Sequence, residues 1–348
     1  MSPSVSSTPA RYRTRGLLLR GIGGLYTIRA YGPKKHRDCF GETDSPLCGQ
    51  TVFCRAKGAF RHENLSPVIG DTVEISYSAA SFSCDEAGRP VPDPGGADLR
   101  IEAIVNRRNC LIRPPVANLD FLFVVFSPVY PEVNLTTLDE LISIAEYNHI
   151  EPVLVITKQE LDPSATQELR TLYENAGFRV FVLGDHATDG IQALRAFVRE
   201  SLPGRIAAFA GASGVGKSTL VNMLFPGISQ VVGDLARRTE RGRQTTRHVE
   251  LFEFPGLSEP GYLADTPGFS MLDFVRFDFF EKQDLPETFR EFVPLLGKCR
   301  YTSCTHTKEE DCAIVRAVTD GSVAKSRHDS YLVMYDALKN KKSWDRKN

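Results

Sequence analysis

The residues Gly211, Ala212, Ser213, Gly214, Val215, Gly216, Lys217 and Ser218, with Thr219 next, fill every fixed position of the pattern G-x-x-x-x-G-K-[ST]. The chemistry of that pattern is phosphate binding. Glycines let backbone N–H groups turn inward around an anion, and the start of a helix adds positive potential beneath it. Lys217 is placed to reach β- and γ-phosphates, and the Ser218 hydroxyl to hold Mg²⁺. A chance glycine-rich turn is the plain alternative. The flanks oppose it: an apolar strand, Ile206 to Ala210, runs in, and a helix-like stretch, Thr219 to Phe225, runs out. The chain is expected to bind a nucleoside triphosphate.

A carboxylate narrows the class. Asp265-Thr266-Pro267-Gly268 follows the apolar Tyr262-Leu263-Ala264. In the D-x-x-G motif of GTPases the Asp holds Mg²⁺ through water, and the Gly N–H senses the γ-phosphate. The same four residues also suit an ordinary β-turn. A guanine reader, usually N-K-x-D after a strand, is missing beyond Asp265. It is found before the phosphate loop instead, where the buried-strand run Pro152 to Ile156 leads into Thr157-Lys158-Gln159-Glu160. A parallel sheet permits this reversal, because nucleotide-contacting loops all emerge at the C-terminal ends of its strands. The order is that of a circularly permuted GTPase.

A separate cluster, Cys299, Cys304, His306 and Cys312, has gaps of four, one and five residues. Three thiolates and one imidazole suit a closed tetrahedral structural zinc site. Disulfides are the other reading, but eight cysteines in 348 residues, five of them outside the cluster and without pattern, are no disulfide scaffold.

These groups need elements to position them. From Gly16 to about Cys110, short β-like runs (Leu17 to Leu19, Leu25 to Ala30, Thr51 to Lys57, Asp71 to Tyr77) are punctuated by Gly and Pro, which suggests a small barrel. Arg55, Lys57, Arg61 and the run Lys34-Lys35-His36-Arg37 could form a basic face there, or simply be solvated. Ala79 to Ala97 reads as a long surface loop. After a hinge at Arg113-Pro114-Pro115, strands and helices alternate: a helix opens near Thr137, and others cover Pro163 to Ala176 and Gly190 to Leu202. Alternation of this kind implies a parallel sheet covered on both faces. The last block opens with Asp284-Leu-Pro-Glu287, read as a capped helix with Phe289, Phe292, Leu295 and Leu296 as its apolar face. The expected domains are a disordered tail (1–15), the barrel (16–112), the GTPase (113–275) and a helical zinc-binding domain with a basic tail (276–348).

Composition bounds the rest. The net charge of −1 gives no global field toward nucleic acid, so any such binding must use local patches. The longest apolar run, Leu119 to Phe126 interrupted by Asp120, is too short to span a bilayer.

With its blocks in this order, the chain resembles the RsgA (YjeQ) family of small-ribosomal-subunit-dependent GTPases, from about Gly16 to the C-terminal tail. Gly23-Gly24-Leu25-Tyr26, Arg55-Ala56-Lys57-Gly58 and Gly70-Asp71-Thr72-Val73 resemble the family's OB-fold pieces. The resemblance implies a multidomain protein: an N-terminal OB-fold β-barrel, a central α/β P-loop GTPase, circularly permuted, and a C-terminal zinc domain. It further implies GTP hydrolysis with Mg²⁺, one structural Zn²⁺, and a late role in maturation of the small (30S) subunit. Partners would be GTP/GDP and the subunit's rRNA, for a cytoplasmic monomer with no membrane contact. Five arginines (237, 238, 241, 243 and 247) around Gly242 would suit rRNA phosphates, or make a solvated loop. Thr245 or Thr246 would close on Mg²⁺, with slight preference for Thr246.

Two departures stand out. Thr157 and Glu160 replace the Asn and Asp of the usual guanine reader. Phe269 stands where Ras-like GTPases carry a water-orienting Gln, and Gln244 stands at the His of the family's G-R-H-T-T segment. An amide can orient water, although it is no general base at neutral pH. The catalytic set expected is thus Lys217, Gln244 and Asp265, with Gly268 as γ-phosphate sensor. The rival reading is an RNA-binding scaffold with a relaxed nucleotide site.

Overall fold

The computed structural model describes residues 11–31, 47, 49–61, 66–78, 82–84, 90–92, 99–112, 114–184, 188–225, 249–254, 256–265 and 280–340. They form two compact units. The first takes in Met1–Cys110, Pro115–Asn118 and Arg247–Leu251, and the second Leu111–Pro114, Leu119–Thr246 and Phe252–Asn348.

The first unit is a barrel. Its strands are β1 (Arg11–Ile22), β2 (Leu25–Ala30), β3 (Thr51–Ala56) and β4 (Thr72–Ser78). A small hairpin of β5 (Phe82–Cys84) and β6 (Pro90–Pro92) precedes β7 (Arg100–Val105). The order β1-β2-β3-β7-β4, with β4 pairing back to β1, closes the sheet on itself. Of these strand pairs, β3–β7 is parallel and the others are antiparallel. Such five-stranded closure is the OB-fold arrangement. Period-two alternation builds it: on β3, Val52 and Cys54 point inward while Thr51, Phe53 and Arg55 face out. The short strands β8 (Cys110–Leu111) and β9 (Val116–Ala117) follow.

Residues 11–15 correct the expected tail. They are the first half of β1, in register with β4 from Arg11↔Ser78 to Arg15↔Glu74. Tyr12 stacks on Tyr77, and Arg13 pairs with Glu74 at 2.7 Å. A run rich in Ser, Thr and Arg reads as unstructured by composition, yet alternates well enough to pair.

The second unit is α/β. In chain order come β10 (Phe121–Phe126), α1 (Leu135–Tyr147), β11 (Glu151–Ile156), α2 (Pro163–Asn175), β12 (Arg179–Val182), α3 (Thr188–Ser201), β13 (Ile206–Ala210) and α4 (Lys217–Leu224). Then comes β14 (Glu250–Glu253), whose Glu250 belongs to the first unit and pairs there with Arg20, and after it β15 (Tyr262–Asp265) of the second unit. The strands β12-β11-β10-β13-β15 lie side by side, all parallel. Both faces are covered, which is why β10 is apolar throughout. On one face Phe121, Phe123 and Val125 pack with Leu194, Phe197 and Val198 of α3 and Leu220 of α4. The Asp120 that interrupts the apolar run is structural. Its Oδ2 accepts from Ile206 N at 2.9 Å, tying the start of β10 to that of β13. No helix among the described residues is long and apolar enough to cross a membrane.

The C-terminal block corrects a second expectation. Residues 285–288 and 293–295 are single 3₁₀ turns, not one α-helix. Pro286 and Pro294 each lack the N–H that an α-helix would need. Asp284 accepts from Glu281 N, behind it, instead of capping forward. Phe289 and Phe292 are nonetheless fully buried, stacked on each other and each edge-to-face with Tyr331. The helices α5 (Ala313–Thr319) and α6 (Lys325–Lys339) complete the unit.

Arg327 of α6 anchors this block. Its side chain is 1% exposed, paired with Asp139 of α1 and, at 2.7 Å, with Glu291. Burial opposes the guanidinium charge, but the two carboxylates outweigh it and hold the group above its ordinary range. Phe289 covers one face of the guanidinium at 4.6 Å. Removing one partner of a desolvated pair strands the others. Arg327→Ala should therefore cost about 3–5 kcal/mol, read as a lower urea midpoint. A loss below about 1 kcal/mol, the size of an exposed pair, would show that the cluster is solvated.

Candidate nucleotide site and metal centre

The phosphate loop runs from the end of β13 to the start of α4. Gly211 begins it with φ +140°, and a Cβ there would stand 2.0 Å from the Val125 carbonyl oxygen of β10. No side chain fits, so the loop starts hard against the neighbouring strand. Gly216, at φ 96°, turns the chain into α4. The Lys217 ammonium donates to the carbonyls of Gly211 and Ala212, each at 2.7 Å. Partial burial lowers its pKa from the usual lysine value, an environment that an anion would relieve.

The crevice is set by topology. From β10 the chain moves outward to β11 and β12, then returns to β13 on the other side of β10. That reversal is a switch point, where ligands of open α/β sheets bind beyond the strand ends.

The reader loop lies against the phosphate loop. Thr157, buried, donates its hydroxyl to the Val215 carbonyl at 2.7 Å, with the Phe126 carbonyl at 3.2 Å. Lys158, in the left-handed region at φ 57°, donates to the carbonyls of Gly214 at 2.8 Å and Tyr130 at 2.6 Å. Thr157 thus makes the loop-to-loop contact from the position where the usual motif has Asn. Glu160 is exposed in the 3₁₀ turn Gln159–Leu161. Asp162 is turned away, its Oδ1 capping α2 through Ala165 N at 2.9 Å.

Asp265 ends β15, whose Ala264 is in register with Ala208 of β13. Its backbone and the phosphate loop leave neighbouring strands at the same edge. Ala212, Ser213, Ser218 and Thr219 lie in the loop and the first turn of α4 as expected. Gln244, Thr245, Thr246, Gly268, Phe269 and the switch arginines lie outside the described residues. In the barrel, Lys57 of the expected basic face is exposed and pairs with Glu102 at 2.9 Å.

The cysteine cluster has metal-site dimensions. The four ligand atoms of Cys299, Cys304, His306 and Cys312 lie within 4.8 Å of one another. Cys299 Sγ stands 3.8 Å from Cys312 Sγ, and His306 Nδ1 stands 3.5 and 3.6 Å from those sulfurs. A tetrahedral ion with metal–sulfur bonds of about 2.3 Å and a metal–nitrogen bond of about 2.0 Å requires edges of about 3.8 and 3.5 Å. The donor set fits. Around it, Glu309 accepts from the backbone of Thr305, Thr307 and Lys308. Burial pushes the Glu309 carboxyl up, but hydrogen bonds led by Thr305 outweigh it and hold it at about 2. The His306 carbonyl meets His328 Nε2 at 2.8 Å, and the Thr305 carbonyl accepts from Tyr331 at 2.7 Å. Such outer contacts orient metal ligands. None of the described cysteines is in a disulfide.

Residues 104–275 match the RsgA GTPase family model, and residues 48–81 match the RsgA N-terminal domain model. A protein of Agathobacter rectalis, named small ribosomal subunit biogenesis GTPase RsgA, is 34% identical over 331 residues, covering 94% of this chain and 99% of its own. The chain belongs to the RsgA family of GTPases. A relative of the same name from Caldanaerobacter subterraneus is 34% identical over 337 residues, covering 97% of this chain and 99% of its own. The crystal structure of YjeQ from Thermotoga maritima is similar with a TM-score of 0.69 at 28% identity, over 95% of this chain and all (100%) of that one. The structure of YloQ, described as a circularly permuted GTPase, gives a TM-score of 0.66 at 26% identity, over 95% and 96% of the two chains. The permuted order read from the motifs is therefore an RsgA-family order.

Sequence reasoning missed the carbonyl acceptors at Tyr130, Gly214 and Val215, since a backbone oxygen has no letter. It also passed over Glu309, whose type alone says nothing of a turn-closing role. The metal centre is directly testable. Purified protein should carry about one equivalent of a thiophilic divalent ion, and Cys312→Ser should remove it and lower the unfolding midpoint. Full metal content and stability in that variant would rule out a metal role for the cluster.

Proposed function

We propose that this RsgA-family chain hydrolyses GTP during biogenesis of the small ribosomal subunit, binding its rRNA and leaving when GTP is cleaved. The observation that carries the reading is the docking of Thr157 and Lys158 on the Val215 and Gly214 carbonyls. It sets a base reader beside a phosphate cradle at a switch point of the sheet. The names of the relatives support the ribosomal part. We take the protein to act as a cytoplasmic monomer.

The roles follow from the geometry. Backbone amides of residues 212–216 and the Lys217 ammonium would hold the phosphates. The hydroxyl of Ser218 and the carboxylate of Asp265, hard oxygen donors, suit Mg²⁺, with a threonine of the Thr245–Thr246 pair as further ligand; magnesium would neutralise charge on the β- and γ-phosphate oxygens. Gln244 would orient the attacking water, and the Gly268 N–H would sense the γ-phosphate. Water oxygen bonds to the γ-phosphorus, the bond to the β–γ bridging oxygen breaks to give GDP, and both water protons go to the inorganic phosphate formed, which at neutral pH releases one to solvent. Glu160 would accept the paired N–H donors of guanine, which adenine does not offer. The metal centre, with three thiolates and an imidazole, suits structural Zn²⁺.

Hydrolysis measured side by side for GTP and ATP, with and without purified small subunits, tests this. We expect slow turnover alone, stimulation by subunits confined to GTP, and a loss of about 10²-fold or more in Lys217→Ala. Turnover that is fast without subunits, or equal for ATP, would sink the proposal.

A further inference from the structure

Glu160 is one methylene longer than the Asp of the usual guanine reader, so its carboxylate reaches about 1.5 Å further from the backbone. That extra length has to be absorbed near the base site. Gly184, just past β12, is where it goes. A Cβ built on Gly184 would stand 2.7 Å from Glu160 Oε2, 2.5 Å from Gln159 Cγ and 3.0 Å from Gln159 Nε2. The backbone does not demand glycine here, since Gly184 is not among the glycines with positive φ. Space alone demands it. Neither loop is free to retreat: Gln159 N donates to the Leu183 carbonyl at 3.2 Å, and Leu183 N to the Ile156 carbonyl at 2.7 Å.

We infer that Gly184 is a specificity-determining residue for guanine, supplying the space in which the longer Glu160 side chain lies. The inference rests on the reading of residues 157–160 as the base reader. Carboxylate and glycine form a matched pair: lengthening the arm by one carbon is offset by removing one carbon from the facing strand end. The three atoms a Gly184 methyl would meet belong to side chains, so the fold can accommodate it by moving the carboxylate. Guanine contacts made as a pair tolerate such a shift poorly, because both bonds are lost together.

The experiment is a four-protein cycle: the parent, G184A, E160D and G184A/E160D, with dissociation constants measured for GDP and ADP. In the parent background G184A should weaken GDP about tenfold, a coupling typical of touching residues. ADP, held by the phosphate cradle alone, should change less than about twofold. In the E160D background G184A should cost GDP affinity clearly less, because the shorter arm gives up its 2.7 Å contact and only the two contacts with Gln159 remain. Equal losses in both backgrounds, equal losses for ADP, or no loss at all would overturn the pair while leaving the nucleotide site standing. A parent protein that binds GDP no better than Lys217→Ala would overturn the site reading and this inference with it.

Discussion

Two neighbouring side chains fix the geometry on which the nucleotide site depends. Thr157 and Lys158 bind the carbonyls of Val215 and Gly214. A trans peptide points its C=O and the following N–H in opposite directions. Holding those two carbonyls on the reader side therefore turns the N–H groups of Val215 and Gly216 toward the cradle. The loop at Thr157 and Lys158 thus shapes the phosphate loop as well as touching it. This explains why Thr can replace Asn: the contact needs one donor aimed at a carbonyl, and a hydroxyl in a buried position supplies it.

Legibility in the sequence followed locality. The phosphate loop, the order of motifs and the cysteine cluster could be read because each residue type is dictated by chemistry within a few positions. Strands such as β10 and β13 were legible because burial on both faces leaves an apolar run. Gly184 was not legible, since its role arises across strands, against a side chain far away in the chain. Arg327 was hidden for a similar reason. An arginine on a helix reads as solvated until α1 and the segment around Glu291 close over it. Pro286 and Pro294 were visible, but the apolar spacing of Phe289 and Phe292 outweighed them, and the structure meets the same burial with 3₁₀ turns.

The C-terminal block is fastened by charge as much as by apolar packing. Besides Arg327, Arg290 donates to Glu146 of α1 at 2.8 Å, to Glu151 of β11 at 2.8 Å and to the Gly177 carbonyl at 3.0 Å. It also covers the Phe178 ring at 4.7 Å. These partners lie on α1 before β11, at the start of β11 itself, and just after α2. The segment leading to the metal centre is consequently braced on the base side of the nucleotide site, while its covalent connection comes from Asp265, on the phosphate side.

The strand order also has a meaning in time. A chain made from its N-terminus produces β10, β11 and β12, with the whole reader loop, before β13 exists. Yet β13 inserts between β10 and β15, so the half-sheet leaves the ribosome with one edge of β10 bare. Domains are completed in the order of synthesis, and unpaired edges are where nascent chains go astray. In this permuted order the loop at Thr157–Glu160 is made before the strand that carries the phosphate loop, and the edge of β10 that receives β13 is made first of all.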